Sequence, residues 1–182
     1  SNVRGAIRAG EYEKTEEGIY LPTEKVMIGG YFEVSIRGQE AELSRNLVVN
    51  EGLNYVLRAA VGETSGISSW YIALFSGDVA VGAAWTAANW RATATEWTNY
   101  DEATRGAWTN SAVASQGTDS FSNKASFTSS GDAQTVRGAA LLSASAKNSD
   151  AGVLLAASRL SSDKTLATGE ILDVGYGLTL TT

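Results

Sequence analysis

Four acidic residues come first among the side chains that could do chemistry. Asp101 and Glu102 are adjacent, with Glu96 and Asp78 within possible reach. Paired carboxylates can share general acid–base work or hold a hard cation. Their spacing fits no calcium loop, so solvated or arginine-paired surface charges are the expectation. Serine nucleophiles are equally unmarked. There is no G-x-S-x-G elbow, and the chain contains no histidine to act as base. A Ser–Lys pairing is left, and no spacing singles one out. Cysteine is absent too, which removes disulfides and thiolate metal sites. No G-x-G-x-x-G opens a helix and no Walker-type phosphate loop occurs. The sequence therefore predicts no enzyme, no cofactor and no metal.

The aromatic residues are the second group. Trp85, Trp90, Trp97, Tyr100 and Trp108 lie close together in the chain, with Arg105 among them. Three roles fit such a block. It could be core, with its N–H and O–H groups satisfied inside. It could anchor a subunit interface, where Trp, Tyr and Arg concentrate binding energy. It could be a platform for sugar rings, which would put Trp90, Trp97 or Trp108 at the surface. Arg105 could stack on a ring or pair with Glu96 or Asp101. Tyr12 and Tyr20 join the block as candidate interface residues.

The elements that must position these residues read mainly as β. The 182 residues suit one domain. Residues 1–25 carry little apolar pattern and are acidic at Glu11, Glu13, Glu16 and Glu17, so an extended N-terminal arm is expected there. Residues 26–182 form the body. Phe32, Val34 and Ile36 alternate with polar residues, a period-2 strand. Gly38 and Gln39 offer a turn, and residues 40–49 the returning strand.

Asn50 to Gly62 predicts the one clear helix, near 50–61. Asn50 would be its N-cap and Glu51 would sit at the positive end of the dipole. Leu53, Val56, Leu57 and Ala60 would form its inward face, and Gly62 its left-handed stop. Gly52 should loosen the first turn. Trp70–Phe75 predicts a buried central strand. Thr86 could cap a short helical turn through residues 87–90. Residues 79–118 have weak periodicity, and a loop that long is often functional.

Residues 119–129, 133–145, 152–160 and 170–181 predict further strands. In the last, Leu172, Val174, Tyr176, Leu178 and Leu180 share one face. Gly175 and Gly177 on the other allow a close approach by a strand or another subunit. Repeated short strands favour an antiparallel β-sandwich or jelly-roll-like domain.

Charge excludes one class of partner. Net charge is -6 and the fourteen basic residues are scattered, which is no footprint for nucleic acid. No apolar run is long enough for a membrane span, and the first residues lack the apolar core of a signal peptide. The expectation is a chain made in a cytoplasm and not exported by an N-terminal signal. Charged residues make up only 19%, against about 25% in average domains. That leaves surfaces suited either to meeting other proteins or to ordinary uncharged strands.

Several stretches together resemble small virion proteins of tailed bacteriophages. They are Asn46-Leu47-Val48-Val49-Asn50-Glu51-Gly52-Leu53-Asn54, the run Trp70–Phe75, and the central block Glu96–Trp108. Arg137–Leu142 and Gly169–Tyr176 continue the likeness, which covers residues 44–180. The resemblance implies a capsid cement or decoration protein in the virion, or a neck or tail component. It implies the major capsid protein or other virion proteins as partners. It also implies a homo-oligomer, for which a trimer suits the three-fold junctions of a shell. A carbohydrate-binding module at a host-contacting tip is the alternative from a different class.

Overall fold

In a computed structural model, the structure describes residues 12–14, 16–18, 20–22 and 26–182. Contacts divide the chain into two units, residues 1–28 with 180–182, and residues 29–179. The first contains a small antiparallel hairpin of β1 (Tyr12–Lys14) and β2 (Tyr20–Pro22). Tyr12 stands opposite Pro22 and Tyr20 opposite Lys14. Gly18 in the turn has a φ of 84°, which glycine adopts without steric cost. The remainder of the expected arm lies outside the described residues.

The body is an antiparallel β-sandwich, as its short alternating strands predict. One sheet runs in the order β10 (Ala125–Thr128), β13 (Ile171–Thr181), β3 (Met27–Ile36), β4 (Glu42–Arg45), with β9 (Gly117–Asp119) also on β13. The other runs β5 (Leu47–Val48), β12 (Leu154–Leu166), β11 (Gln134–Leu142), β6 (Tyr71–Phe75), β7 (Glu96–Trp97), with β8 (Gly106–Ala107) on β6. The sheets meet closely. A Cβ on Gly106 would lie 2.6 Å from the Ala125 Cβ and 2.8 Å from the Phe127 ring.

Both faces of the six-stranded sheet are buried along β6, most of β11 and the first half of β12, which explains their continuous apolar runs. Ile72, Leu74 and Leu141 lie on one face. Ala73, Phe75, Ala140 and Leu142 lie on the other and pack with Val79, Val81, Trp85 and Trp90. The five-stranded sheet is buried on one side, through Phe32, Val34, Phe127, Leu172, Val174 and Tyr176.

The residue 40–49 segment is not one strand. At Asn46 the chain leaves β4 and crosses to the second sheet as β5. The Asn46 side-chain amide donates to the Tyr176 hydroxyl at 2.9 Å, pinning the crossing. Residues 119–129 likewise divide into β9 and β10 around a turn at Ser120–Asn123. The strand expected over 152–160 continues to Leu166. Its second half is polar, and side-chain pairs hold it rather than apolar periodicity. Lys164 meets Glu42 at 2.6 Å, and Asp163 meets both Arg137 and Arg159. Bonds from Lys164 and Ser162 hold the Glu42 carboxyl down at about 2. Gly175 and Gly177 are approached by Phe121 of the same chain, whose ring would sit within 2.9 Å of a Cβ at either position.

The helix α1 (Asn50–Ala60) departs from expectation at its start and on its face. Its N-cap is Val49, which is extended and buried and whose apolar side chain has no atom to form a cap bond. Gly52 sets the inward face. A Cβ there would lie 2.2 Å from the Leu155 carbonyl oxygen, so only hydrogen fits against β12. Tyr55, Val56 and Ala59 follow on the same side, half-buried, while Leu53, Leu57 and Ala60 turn outward. The helix ends as expected. Gly62 has a φ of 76°, and the amides of Gly62 and Glu63 reach back to Ala59 and Arg58. The second helix, α2 (Trp90–Ala94), starts three residues later than the turn expected after Thr86. The reason is that the Asn89 side chain accepts the Thr86 amide and forms the preceding turn.

Candidate functional site

The long segment between β6 and β9 carries the aromatic block, and the structure turns most of it inward. Phe75 receives Trp85 and Trp90 edge-on, at centroid distances of 6.0 and 6.4 Å. Trp97, Tyr100 and Phe127 meet in series from β7 to β10, the first pair tilted and the second edge-on, at 5.4 and 5.0 Å. Trp85, Trp90, Trp97 and Tyr100 are all buried. Core is therefore their observed role. A ring already enclosed by its own chain has no surface left to bury against a partner, which corrects their placement at an interface. Burial raises the Tyr100 hydroxyl well above its ordinary range, with Glu96 adding to the effect. Trp108 is half-buried. Its indole N–H donates to the Tyr176 carbonyl at 2.9 Å and its ring meets Tyr176 edge-on. No pair of these tryptophans offers an open platform for a sugar ring. The side chains of Tyr12 and Tyr20 lie outside the described residues.

Arg105 is the center of a buried polar network. Its guanidinium forms a two-pronged pair with Glu96, at 2.8 and 2.9 Å. Its side chain is 0% exposed and that of Glu96 1%. Two further N–H groups donate to the carbonyls of Ala144 and Ser149. Its Cζ lies 5.7 Å from the center of the Trp90 ring. Glu96 also accepts the Asn148 amide at 3.0 Å, and Arg91 Nε stands 3.1 Å from it, close enough to pair but not aligned to donate. Both roles foreseen for Arg105, the ring and Glu96, are thus realised together. A carboxylate with its oxygens occupied by fixed donors is poorly placed to accept a substrate proton. The cluster ties residues 143–150 to the segment 90–105, and its geometry is that of a structural brace.

Three of the other acids, Glu102, Asp78 and Glu51, also have partners within the chain. Glu102 accepts both the amide and the hydroxyl of Thr128. Asp78 pairs with Arg159 at 3.1 Å. Asp101 is exposed and, with Glu102 and Glu96, lies near the Lys147 ammonium. Glu51 takes the amides of Ala87 and Leu154 at 2.8 and 2.7 Å, fastening α1 to the segment below it. Among the described residues, no three acidic side chains gather closely enough to hold a metal ion. No described helix is long and apolar enough to cross a membrane.

The outer side of α1 carries exposed apolar side chains. Leu53, Leu57 and Val61 follow each other at intervals of four along it, 44%, 63% and 68% exposed. Arg58 and Glu63 beside them pair with each other at 2.9 Å, so the strip carries little net charge. Sequence reasoning found these leucines but pointed them at the core. Gly52 was the signal that reverses the face, since a buried glycine inside a helix marks the side of closest approach. Two cavities flank this end of the domain. One of about 470 Å³ lies beside α1 at Asn54, Tyr55 and Thr86. Another of about 400 Å³ lies beside β5. No protein-family model matches the chain, and no curated protein is similar to it in sequence.

Proposed function

We propose that the chain is a non-enzymatic structural subunit, a capsid cement or decoration protein of a tailed-phage particle. It binds other subunits through the outer side of α1 and braces the shell by many modest contacts repeated by symmetry. The observation that carries this reading is the exposed row Leu53, Leu57 and Val61 on a domain whose buried charges are partnered internally. Apolar side chains in a contiguous row mark a surface made to be covered. The row alone is too small for a stable pairwise complex. An eleven-residue helix is about 16 Å long, and a stable interface needs about 800 Å² per partner. Repetition over a lattice supplies what one contact lacks.

The same surface serves a ring or spike in the neck or tail, and copy number separates the two positions. The test of the surface is a double substitution, Leu53→Asp with Leu57→Asp. Both positions face solvent, so stability should change by less than about 1 kcal/mol. Attachment to purified particles should fall by at least about tenfold, because two charges would have to be desolvated in the contact. A variant that saturates particles like the parent would remove α1 from the interface.

A further inference from the structure

The groove beside β5 is lined by Arg45, Asn46 and Leu47 on one side and by Val79, Ala80 and Val81 on the other. Its polar groups are unusually idle. Residues 78–82 run without helix, turn or strand pairing. The amides and carbonyls of Val79, Ala80 and Val81 make no hydrogen bond among the described residues. Yet this run is not loose, because Val79 and Val81 pack onto the core beneath. Across the groove, β5 is the last strand of its sheet. An anchored run with an unpaired backbone is a template for one more strand.

The charges indicate what that strand carries. The Arg45 side chain has no hydrogen bond or ion pair, whereas every other described basic side chain has a partner. Asp78 and Arg159, also in the lining, neutralise each other. The groove therefore holds one uncompensated positive charge.

We infer that the groove beside β5 receives an extended acidic peptide strand from a neighbouring protein subunit. The strand pairs with the backbone of Val79–Val81 and sets a carboxylate against Arg45. This rests on the reading of the chain as a structural subunit, and it names a contact separate from the leucine row. Pairing over three residues is short, so the strand would add to the attachment rather than supply it alone.

The probe is a synthetic peptide of about six residues, a common strand length, alternating valine and aspartate and blocked at both ends. Its valine–lysine counterpart is the control. Amide exchange is followed on the full chain. The aspartate peptide should slow exchange at Val79–Val81 and bind at least about tenfold tighter than the lysine peptide. Arg45→Glu should reverse that preference, and Ala80→Pro should abolish the protection. Arg45 is exposed, so its variant reports even if the proline distorts the run. Unchanged exchange at millimolar peptide, or equal binding of the two peptides, would overturn the inference. An Arg45→Glu chain that attaches to particles like the parent would also sink the groove while leaving the structural role standing. Peptide binding by a chain absent from particles would do the reverse.

Discussion

Replacing Glu96 with alanine should destabilise the domain by about 3–5 kcal/mol, enough to unfold a protein of ordinary stability at the lower end of the usual range of about 5–15 kcal/mol. The reason is what the substitution leaves behind. Arg105 would keep its charge at a site with no exposure, with no counter-ion at hydrogen-bond distance. The Asn148 amide would lose its acceptor and Arg91 one of its two carboxylate neighbours. Asp163→Ala is the contrasting variant. Asp163 also pairs with arginines, but it is 40% exposed, so its loss should cost no more than about 1 kcal/mol. Adding Arg105→Met to Glu96→Ala should recover part of the loss, because the unpaired charge is then gone. Urea unfolding of the four proteins checks the ranking. A Glu96→Ala midpoint close to the parent's would mean that the pair is solvated.

The second large effect is at Gly52, where two rules disagree in sign. Helix propensity predicts that Gly52→Ala gains about 1 kcal/mol. The packing predicts a loss, since the new Cβ would lie 2.2 Å from the Leu155 carbonyl oxygen and 2.8 Å from two other backbone atoms of that residue. Leu155 is the second residue of β12 and its carbonyl accepts the Val49 amide, so this backbone cannot swing aside as a side chain can. Forced shifts of this kind cost about 1–3 kcal/mol and occasionally more. We expect packing to win, with a net loss of about 1–2 kcal/mol. Gly66→Ala is the control. A Cβ there has nothing within 4 Å, so that change should be neutral or stabilising by up to about 1 kcal/mol. A stabilised Gly52→Ala would show that α1 does not sit against β12.

Gly52 also illustrates how far the sequence could be read. The strand β13 was legible because only one of its faces meets the core, so Leu172, Val174 and Tyr176 alternate with small or polar residues. The end of α1 was legible because Gly62 performs a local backbone task. The face of α1 was not. Its leucines form a regular apolar stripe, and periodicity does not say whether a stripe meets the chain's own core or another subunit. The second half of β12 was missed because Ser161, Ser162 and Asp163 look like a turn, and the partners that straighten them, Ser44, Glu42 and Arg137, come from distant strands.

The candidate site shows the same division. Arg105 and Glu96 were recognisable as partners from nine residues apart. Their complete burial was not, since it depends on Ala144, Asn148 and Ser149 arriving from a later loop. A tryptophan suited to a core and one suited to an interface are the same residue, so Trp85, Trp90 and Trp97 could be sorted only by the fold. The groove beside β5 gave no sequence signal, because an unpaired backbone is invisible in residue types.

The structural role itself is tested most directly by counting this chain in purified particles against the major shell protein, by quantitative mass spectrometry. A cement protein that braces the whole shell should be present in numbers comparable to the shell protein. A count fitting one ring or a few spikes would contradict the shell-wide role and move the chain to the neck or tail. Its absence from particles would contradict the virion assignment altogether.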